Sequence, residues 1–317
     1  MAVSDDLVWI AKGVDHNVDV SKRNDSGNYS LFQTITINSS GQFDHKLEMD
    51  KDGTVLIIRD LEAKNNIVYS LSVYFRKDTK ETFKMQQRLD GDSNDNRFGW
   101  RTSMTPNGLI LVVLGSELIY TFSRDKSEDQ FLLHHTINVP ERFLRRNHGE
   151  NQIAVSADGL ILIVMEGNYG LNTVHVFARN PTTEFTLEQM LDGEEEGDLF
   201  GHTLALSRSG NLLVVAAPYA SPKLNKEGSI HLYVRNETNK FNHYRRFDGA
   251  SSFEYLGIGG IMINSTESML AIHALGVGTD AFFQTYMLEC ECVNKKHICQ
   301  GFSAFPALVC NDKIPSS

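Results

Sequence analysis

Cysteine is missing from the first 289 residues of this 317-residue chain; Cys290, Cys292, Cys299 and Cys310 all follow that point. Disulfides therefore cannot hold most of the fold together. No run of about 18 apolar residues occurs, which excludes a membrane-spanning helix. No basic stretch occurs either, and 30 Lys and Arg stand against 40 Asp and Glu, for a net charge of −10. A nucleic-acid partner is excluded on that balance. Gly-x-Ser-x-Gly, His-Glu-x-x-His and phosphate-loop motifs are absent, so no catalytic chemistry is announced by a local signature. No window of 11–18 residues keeps a 3.6-residue period, which excludes a helical solenoid. The start, Met1 to Asp6, has neither the basic region nor the apolar core of a signal peptide.

What is present is a repeat. Arginine recurs at Arg23, Arg76, Arg124, Arg179 and Arg235, and an aromatic follows six or seven residues later at Tyr29, Phe83, Phe131, Phe185 and Phe241. Each unit holds four short apolar runs bounded by Gly, Asn, Asp or Ser, which is a strand signature. The first two runs are joined by Asp52-Gly53, Asn107-Gly108, Asp158-Gly159 or Ser209-Gly210, pairs suited to tight turns with positive φ. The second run, such as Leu160 to Met165, is apolar throughout, so it predicts a strand covered on both faces. The third alternates: Ile230, Leu232 and Val234 on one face, His231, Tyr233 and Arg235 on the other. Such a unit cannot stand alone in water; stacking radially against two neighbours solves this.

The expected fold is all-β: one β-propeller of four-stranded blades over 1–317. Six repeats are visible, near 1–40, 41–95, 96–146, 147–197, 198–252 and 253–317. The first opens in mid-strand. That predicts either closure by a strand around Ala307 to Cys310 or the loss of upstream sequence, with a seven-bladed ring as the alternative.

The unit Phe200-Gly201 to Ser207, Gly210 to Pro218, Gly228 to Arg235 resembles the FG-GAP repeat of integrin α subunits. Phe98-Gly99 keeps the first signature, while Gly115-Ser116 replaces its Ala-Pro. The resemblance implies a seven-bladed propeller, an extracellular setting, and recognition of a protein or glycan. It does not carry the integrin calcium sites across, because the turns at Asn107-Gly108, Asp158-Gly159 and Ser209-Gly210 are too short to wrap a cation.

Two acidic loops stand out. Asp90, Asp92 and Asn94 supply oxygens at alternate positions, but Asp95 and Arg101 stand where a calcium loop wants Gly and Glu. The loop reads first as a polar inter-blade link and second as a calcium site. Asp192 to Asp198 is the densest charge run, and reads as a solvated loop or an attractor of cations or basic partners. His175 and His231 share a repeat position and report architecture; His134-His135 points opposite ways along a strand.

The clustered cysteines read as two disulfides, Cys290–Cys299 with Cys292–Cys310 or Cys292–Cys299 with Cys290–Cys310. A zinc site with His297 is the rival. Sequons occur at Asn24, Asn28, Asn38, Asn236 and Asn264. Together these predict an extracellular or cell-surface setting. The leading functional expectation is a non-enzymatic recognition or scaffold module without a cofactor, binding a protein or glycan through loops of one propeller face. The alternatives are a propeller hydrolase or lyase with its site in the central channel, and a structural subunit of a larger assembly.

Overall fold

The computed structural model describes residues 1–14, 16–37, 46–63, 67–91, 95, 98–138, 153–166, 172–181, 184–236, 238–264, 267–275, 281–293 and 296–303. Side chains are described outside 61–63, 67–69, 275 and 281–303. Among these residues there is no helix.

Six four-stranded antiparallel sheets form the blades of a β-propeller. Blade one is β1 (Ala2–Val3), β2 (Trp9–Val14), β3 (Asn17–Arg23) and β4 (Tyr29–Thr36). Blade two is β5 (Leu47–Met49), β6 (Val55–Ala63), β7 (Ile67–Phe75) and β8 (Lys84–Asp90). Blade three is β9 (Arg101–Met104), β10 (Ile110–Leu114), β11 (Leu118–Ser123) and β12 (Leu132–Asn138). Blade four is β13 (Ile153–Val155), β14 (Ile161–Glu166), β15 (Thr173–Ala178) and β16 (Thr186–Asp192). Blade five is β17 (Leu204–Leu206), β18 (Leu212–Ala217), β19 (Ser229–Arg235) and β20 (Phe241–Asp248). Blade six is β21 (Ile261–Ile263), β22 (Met269–Leu275), β23 (Ala281–Val293) and β24 (Lys296–Ser303).

The first strands β1, β5, β9, β13, β17 and β21 touch in succession, so they line the axis. Blade one completes its sheet with its own two-residue β1. The segment from Ala307 to Cys310, expected to close the ring, lies outside the described residues.

The second strands divide their apolar side chains between two cores. Ile161, Ile163 and Met165 of β14 face blade five, while Leu162 and Val164 face blade three. Leu213, Val215 and Ala217 of β18 face blade four, and Leu212, Val214 and Ala216 face blade six. Period-two alternation is therefore retained inside an unbroken apolar run, because both faces of the blade are inter-blade faces.

The inner hairpins share one turn. In all six, a side-chain oxygen accepts the backbone N–H five residues on: Ser4 from Trp9, Asp50 from Val55, Thr105 from Ile110, Ser156 from Ile161, Ser207 from Leu212 and Asn264 from Met269. The left-handed residue of that turn is Gly53, Gly108, Gly159 and Gly210 in the middle blades, and Leu7 and Glu267 in the outer two.

The arginine ruler also has a physical basis. Arg76 Nε donates to the Gly53 carbonyl at 2.7 Å, Arg124 Nε to Gly108 at 2.9 Å and Arg179 Nε to Gly159 at 2.8 Å. Each guanidinium lies over the aromatic that follows it: Arg76 over Phe83 at 4.4 Å, Arg124 over Phe131 at 4.1 Å and Arg179 over Phe185 at 4.8 Å. Burial lowers the pKa of Arg76 and Arg124 to about 10, partly offset by Asp50, so both stay cationic at neutral pH.

Candidate functional site

The end of the channel where β1 turns into β2 is occupied by linked turns. Asp5 N donates to Lys51 O (3.1 Å), Lys51 N to Pro106 O (2.8 Å), Ala157 N to Arg208 O (2.9 Å) and Ser209 N to the Glu267 carboxylate (2.6 Å). Arg208 of blade five also pairs with Asp5 of blade one. A site on the axis therefore belongs at the opposite end, where the inter-blade segments enter.

The acidic loops lie at that end, and several of their carboxylates have structural partners. Asp95 accepts from the Ser116 backbone at 2.6 Å and from the Tyr120 hydroxyl at 2.9 Å. Asp198 accepts from Phe200 N at 2.8 Å, and Glu254 from Ala250 N at 2.6 Å. These bonds hold Phe98, Phe200 and Leu256, each fully buried, and the glycine after each donates to the neighbouring second strand: Gly99 to Leu114, Gly201 to Ala216 and Gly257 to His273. Leu256-Gly257 is thus blade six's counterpart of Phe-Gly. Asp192 accepts from Thr173, while Glu194 pairs with Arg246.

Of the expected calcium ligands, Asp90 accepts from Arg88 Nε at 2.9 Å; Asp92 and Asn94 lie outside the described residues. Among the described residues no three His, Cys, Asp or Glu side chains gather in a way that could hold a metal ion.

His175 and His231 keep their common position, and each faces an acid: His175 Nε2 lies 2.7 Å from Glu166 Oε2, and His231 Nδ1 lies 4.0 Å from Glu194 Oε1. Tyr120 and Ser72 hold the equivalent place and donate to Asp95 and Asp60. The position is a buried polar pairing point in each of these blades.

Asn24 and Asn28 are exposed in the β3–β4 turn, and Asn236 opens the β19–β20 turn with its amide oxygen accepting from Thr238 and Lys240. Asn264 lies instead in the inner hairpin of blade six, where its side chain bonds Ser268 and Met269. Asn38 and Cys310 lie outside the described residues. The backbones of Cys290 and Cys299 are register partners, and that of Cys292 faces His297.

The chemistry absent from the sequence motifs appears on the first strands. In blades four to six these strands are apolar: Ala154 and Val155, Ala205 and Leu206, Met262 and Ile263. In blades two and three they carry polar side chains: Glu48 in β5, and Arg101, Thr102 and Ser103 in β9. The Thr102 hydroxyl of β9 donates to the Glu48 carboxylate of β5. One residue further, Val155 N donates to the Ser103 hydroxyl at 3.1 Å. Burial raises the pKa of Glu48, against the lowering effect of the Thr102 hydroxyl and the Met104 backbone N–H. A carboxyl whose pKa is raised by burial and that accepts from a hydroxyl on the neighbouring strand is a candidate for proton transfer.

Trp100 and Arg101 immediately precede Thr102, and Arg59 of β6 is joined to them. Arg59 and Arg101 each donate through Nη1 to the Trp100 carbonyl at 3.0 Å. Sequence reasoning missed Glu48 and Thr102. The available signal was a break in the repeat: Glu48 and Ser103 hold the position of Ala154, Ala205 and Met262.

No family model matches the chain, and no curated protein does. Solved structures match it in fold. A functionally unknown protein from Desulfotomaculum acetoxidans is 14% identical, with a TM-score of 0.59 over 95% of this chain and 83% of that one. The periplasmic gluconolactonase PpgL of Pseudomonas aeruginosa is 14% identical, with a TM-score of 0.54 over 89% and 86%. A protein provisionally named 6-phosphogluconolactonase, from Bacteroides fragilis, is 12% identical, with a TM-score of 0.58 over 90% and 78%.

Identities this low establish the propeller fold, without a specific tie to FG-GAP or integrin propellers. The leading functional expectation is corrected here. A non-enzymatic recognition or scaffold module does not fit the neighbours that carry a functional name above, which are lactonases. The misdirection came from the FG-GAP resemblance, which rests on residues that hold blades together and so reports packing rather than activity.

Proposed function

We propose that this propeller is a hydrolase of cyclic esters, a lactonase, acting at the channel mouth between blades two and three. The observation that carries the reading is the Glu48 carboxyl bonded by Thr102 across two first strands, its pKa raised by burial. The lactonase names among the structural neighbours support the reaction class. In the reaction the ionised Glu48 accepts a proton from a water whose oxygen attacks the lactone carbonyl carbon. The ring C–O bond then breaks, and the departing oxygen takes the proton back from Glu48. The product is an open-chain hydroxy acid. Thr102 orients the carboxylate throughout.

The test is hydrolysis of D-gluconolactone by the full chain and by Glu48→Gln and Thr102→Val. Wild-type turnover with a loss of about 10²-fold or more in kcat for Glu48→Gln supports the reading. Equal turnover in Glu48→Gln, or no wild-type turnover across neutral and phosphorylated lactones, overturns it.

The same reading sets the protein outside the cytoplasm. The periplasmic neighbour, the clustered cysteines and the exposed Asn24 and Asn28 support that setting. Non-reducing mass mapping of protein from its native source checks it: four free thiols refute it. Descent from an FG-GAP repeat is supported by the shared glycine geometry at Gly99, Gly201 and Gly257.

A further inference from the structure

Blade six differs from blades four and five in how its last two strands pair. In those blades the third strand meets the second and the fourth over the same residues, Thr173 to Ala178 and Ser229 to Val234. In blade six, β22 pairs with β23 from Ala281 to Met287, while β24 pairs with it from Met287 to Val293. The two pairings share only Met287. Among the described residues, the hairpin beyond that point therefore runs as two strands with no third beside them. A two-stranded hairpin is marginal in water on its own. The same segment holds Cys290, Cys292 and Cys299, after 289 residues that contain no cysteine. The register fixes how these stand to one another. After a shift between Glu289 and Cys290, Cys290 is opposite Cys299, Glu291 opposite Ile298 and Cys292 opposite His297. Directly opposed residues of an antiparallel pair have Cα atoms about 4.5–5.5 Å apart, inside the range of about 4.4–6.8 Å that a disulfide spans. Cys292 and Cys299 are diagonal neighbours, about 7–8 Å apart by the same geometry, which lies beyond that range.

We propose that Cys290 and Cys299 are disulfide partners, a staple across the outer hairpin of blade six. Of the two connectivities open to the cysteines, this selects the one that leaves Cys292 to Cys310. The oxidant is a small-molecule disulfide such as oxidised glutathione. The thiolate of one cysteine attacks a glutathione sulfur and releases one glutathione; the other cysteine then attacks the mixed disulfide and releases the second. The pair gives up two electrons and two protons, and the oxidant ends as two thiols. Cys292 and His297 fall on the same face of the hairpin, two residues along each strand. A zinc ion there would need donors from both opposed pairs to reach one point about 2.0–2.3 Å away, whereas the disulfide needs only the pair already opposed. Formation of the bond in the native source rests on the setting outside the cytoplasm; the choice of partners does not.

The test is equilibration of the recombinant full chain with mixtures of reduced and oxidised glutathione, followed by alkylation and non-reducing mass mapping. Cleavage after Glu291, after Lys295 and after Phe302 puts the four cysteines on separate peptides. A peptide pair joined through Cys290 and Cys299 is the expected product. The double variant Cys292→Ser/Cys310→Ser should form the same link and lose both of its free thiols. Cys290→Ser/Cys310→Ser, left with the diagonal pair, should form no internal link in the same buffers. A Cys292–Cys299 or Cys290–Cys310 link in the unsubstituted chain overturns the assignment, as do four free thiols in the most oxidising mixture. One zinc ion per chain that shields Cys290, Cys292 and Cys299 from alkylation overturns it in favour of a metal site. A Cys290–Cys299 link formed in glutathione, alongside four free thiols in protein from the native source, keeps the pairing and removes the setting outside the cytoplasm.

Discussion

Leu7 has a φ of 56°, in the turn position that Gly53, Gly108, Gly159 and Gly210 take in the next four blades. A side chain with Cβ pays about 1–2 kcal/mol there. The Leu7 side chain is 55% exposed, and its carbonyl, not its side chain, accepts from Tyr29. Leu7→Gly should therefore raise stability by up to about 1 kcal/mol, once the greater freedom of unfolded glycine is subtracted, read from the urea midpoint. Glu267 has the same geometry but accepts from Ser209 N and Oγ, so Glu267→Gly should lose stability in the same assay. Two buried titrating groups give opposite pH slopes. Burial lowers the His231 pKa to about 4. The folded state keeps that ring neutral, while the unfolded chain protonates it below its ordinary value near 6.5. Its share of stability is full above that value and is lost as pH falls toward 4, by about 3 kcal/mol. His231→Gln should flatten that part of the acid limb. Glu48 is raised by burial, so the folded state holds its proton longer than the unfolded one. Stability then falls as pH rises from its ordinary value of 4.5 through the folded pKa. Glu48→Gln should remove that fall, and urea titrations of both variants over the range would show it.

At the scale of elements, one motif locks blade one to two, two to three and four to five. Arg76 is almost fully buried, with its guanidinium 3.7 Å from the Trp9 ring of blade one and 4.4 Å from Phe83 of its own blade. Gln33 of blade one grips the backbone of Phe83 with both amide atoms, at 2.7 and 3.0 Å. Gln87 grips Phe131 at 2.7 and 2.8 Å, and Gln189 grips Phe241 at 2.8 Å twice. Each glutamine lies four residues after an aromatic, beside a register shift that recurs in the outer strand pair of every blade. The shift turns the side chain toward the next blade. Gln87→Ala leaves an N–H and a carbonyl of Phe131 without these partners and should cost about 2 kcal/mol. Arg76→Met loses a charge-assisted bond and the cation's contacts with the Trp9, Phe32 and Phe83 rings, and should cost about 3 kcal/mol; thermal unfolding measures both. The arginine and its aromatic were legible in the sequence because both types recur. The glutamine was not, since His135 and Arg245 replace it in blades three and five. Glu48 and Thr102 were less legible still. Their strands are three and four residues long, too short for a pattern, and they meet only because the ring sets β5 beside β9.

For the whole molecule, the question is whether a blade can open alone. The second strands β14 and β18 are buried at every position, whereas β12 and β16 of the fourth rank leave Leu132, Leu133, Leu187 and Met190 about half exposed or more. Hydrogen exchange should therefore be slowest in β10, β14 and β18 and fastest in β12, β16 and β20. The second strands also send side chains into the cores on both sides, so releasing one blade strips one face from each neighbour. The Gln clasps join blades one to two, two to three and four to five, and the Arg208–Asp5 pair joins blade five to blade one. A solenoid can lose a terminal repeat at the cost of one interface, but a ring loses two. Arg76→Met at the junction of blades one and two provides the discriminating case. If the blades open together, its destabilisation lowers exchange protection equally in β6, β10, β14 and β18. Loss confined to β2 and β6 would show that blades open singly, and that the ring is a chain of separable units.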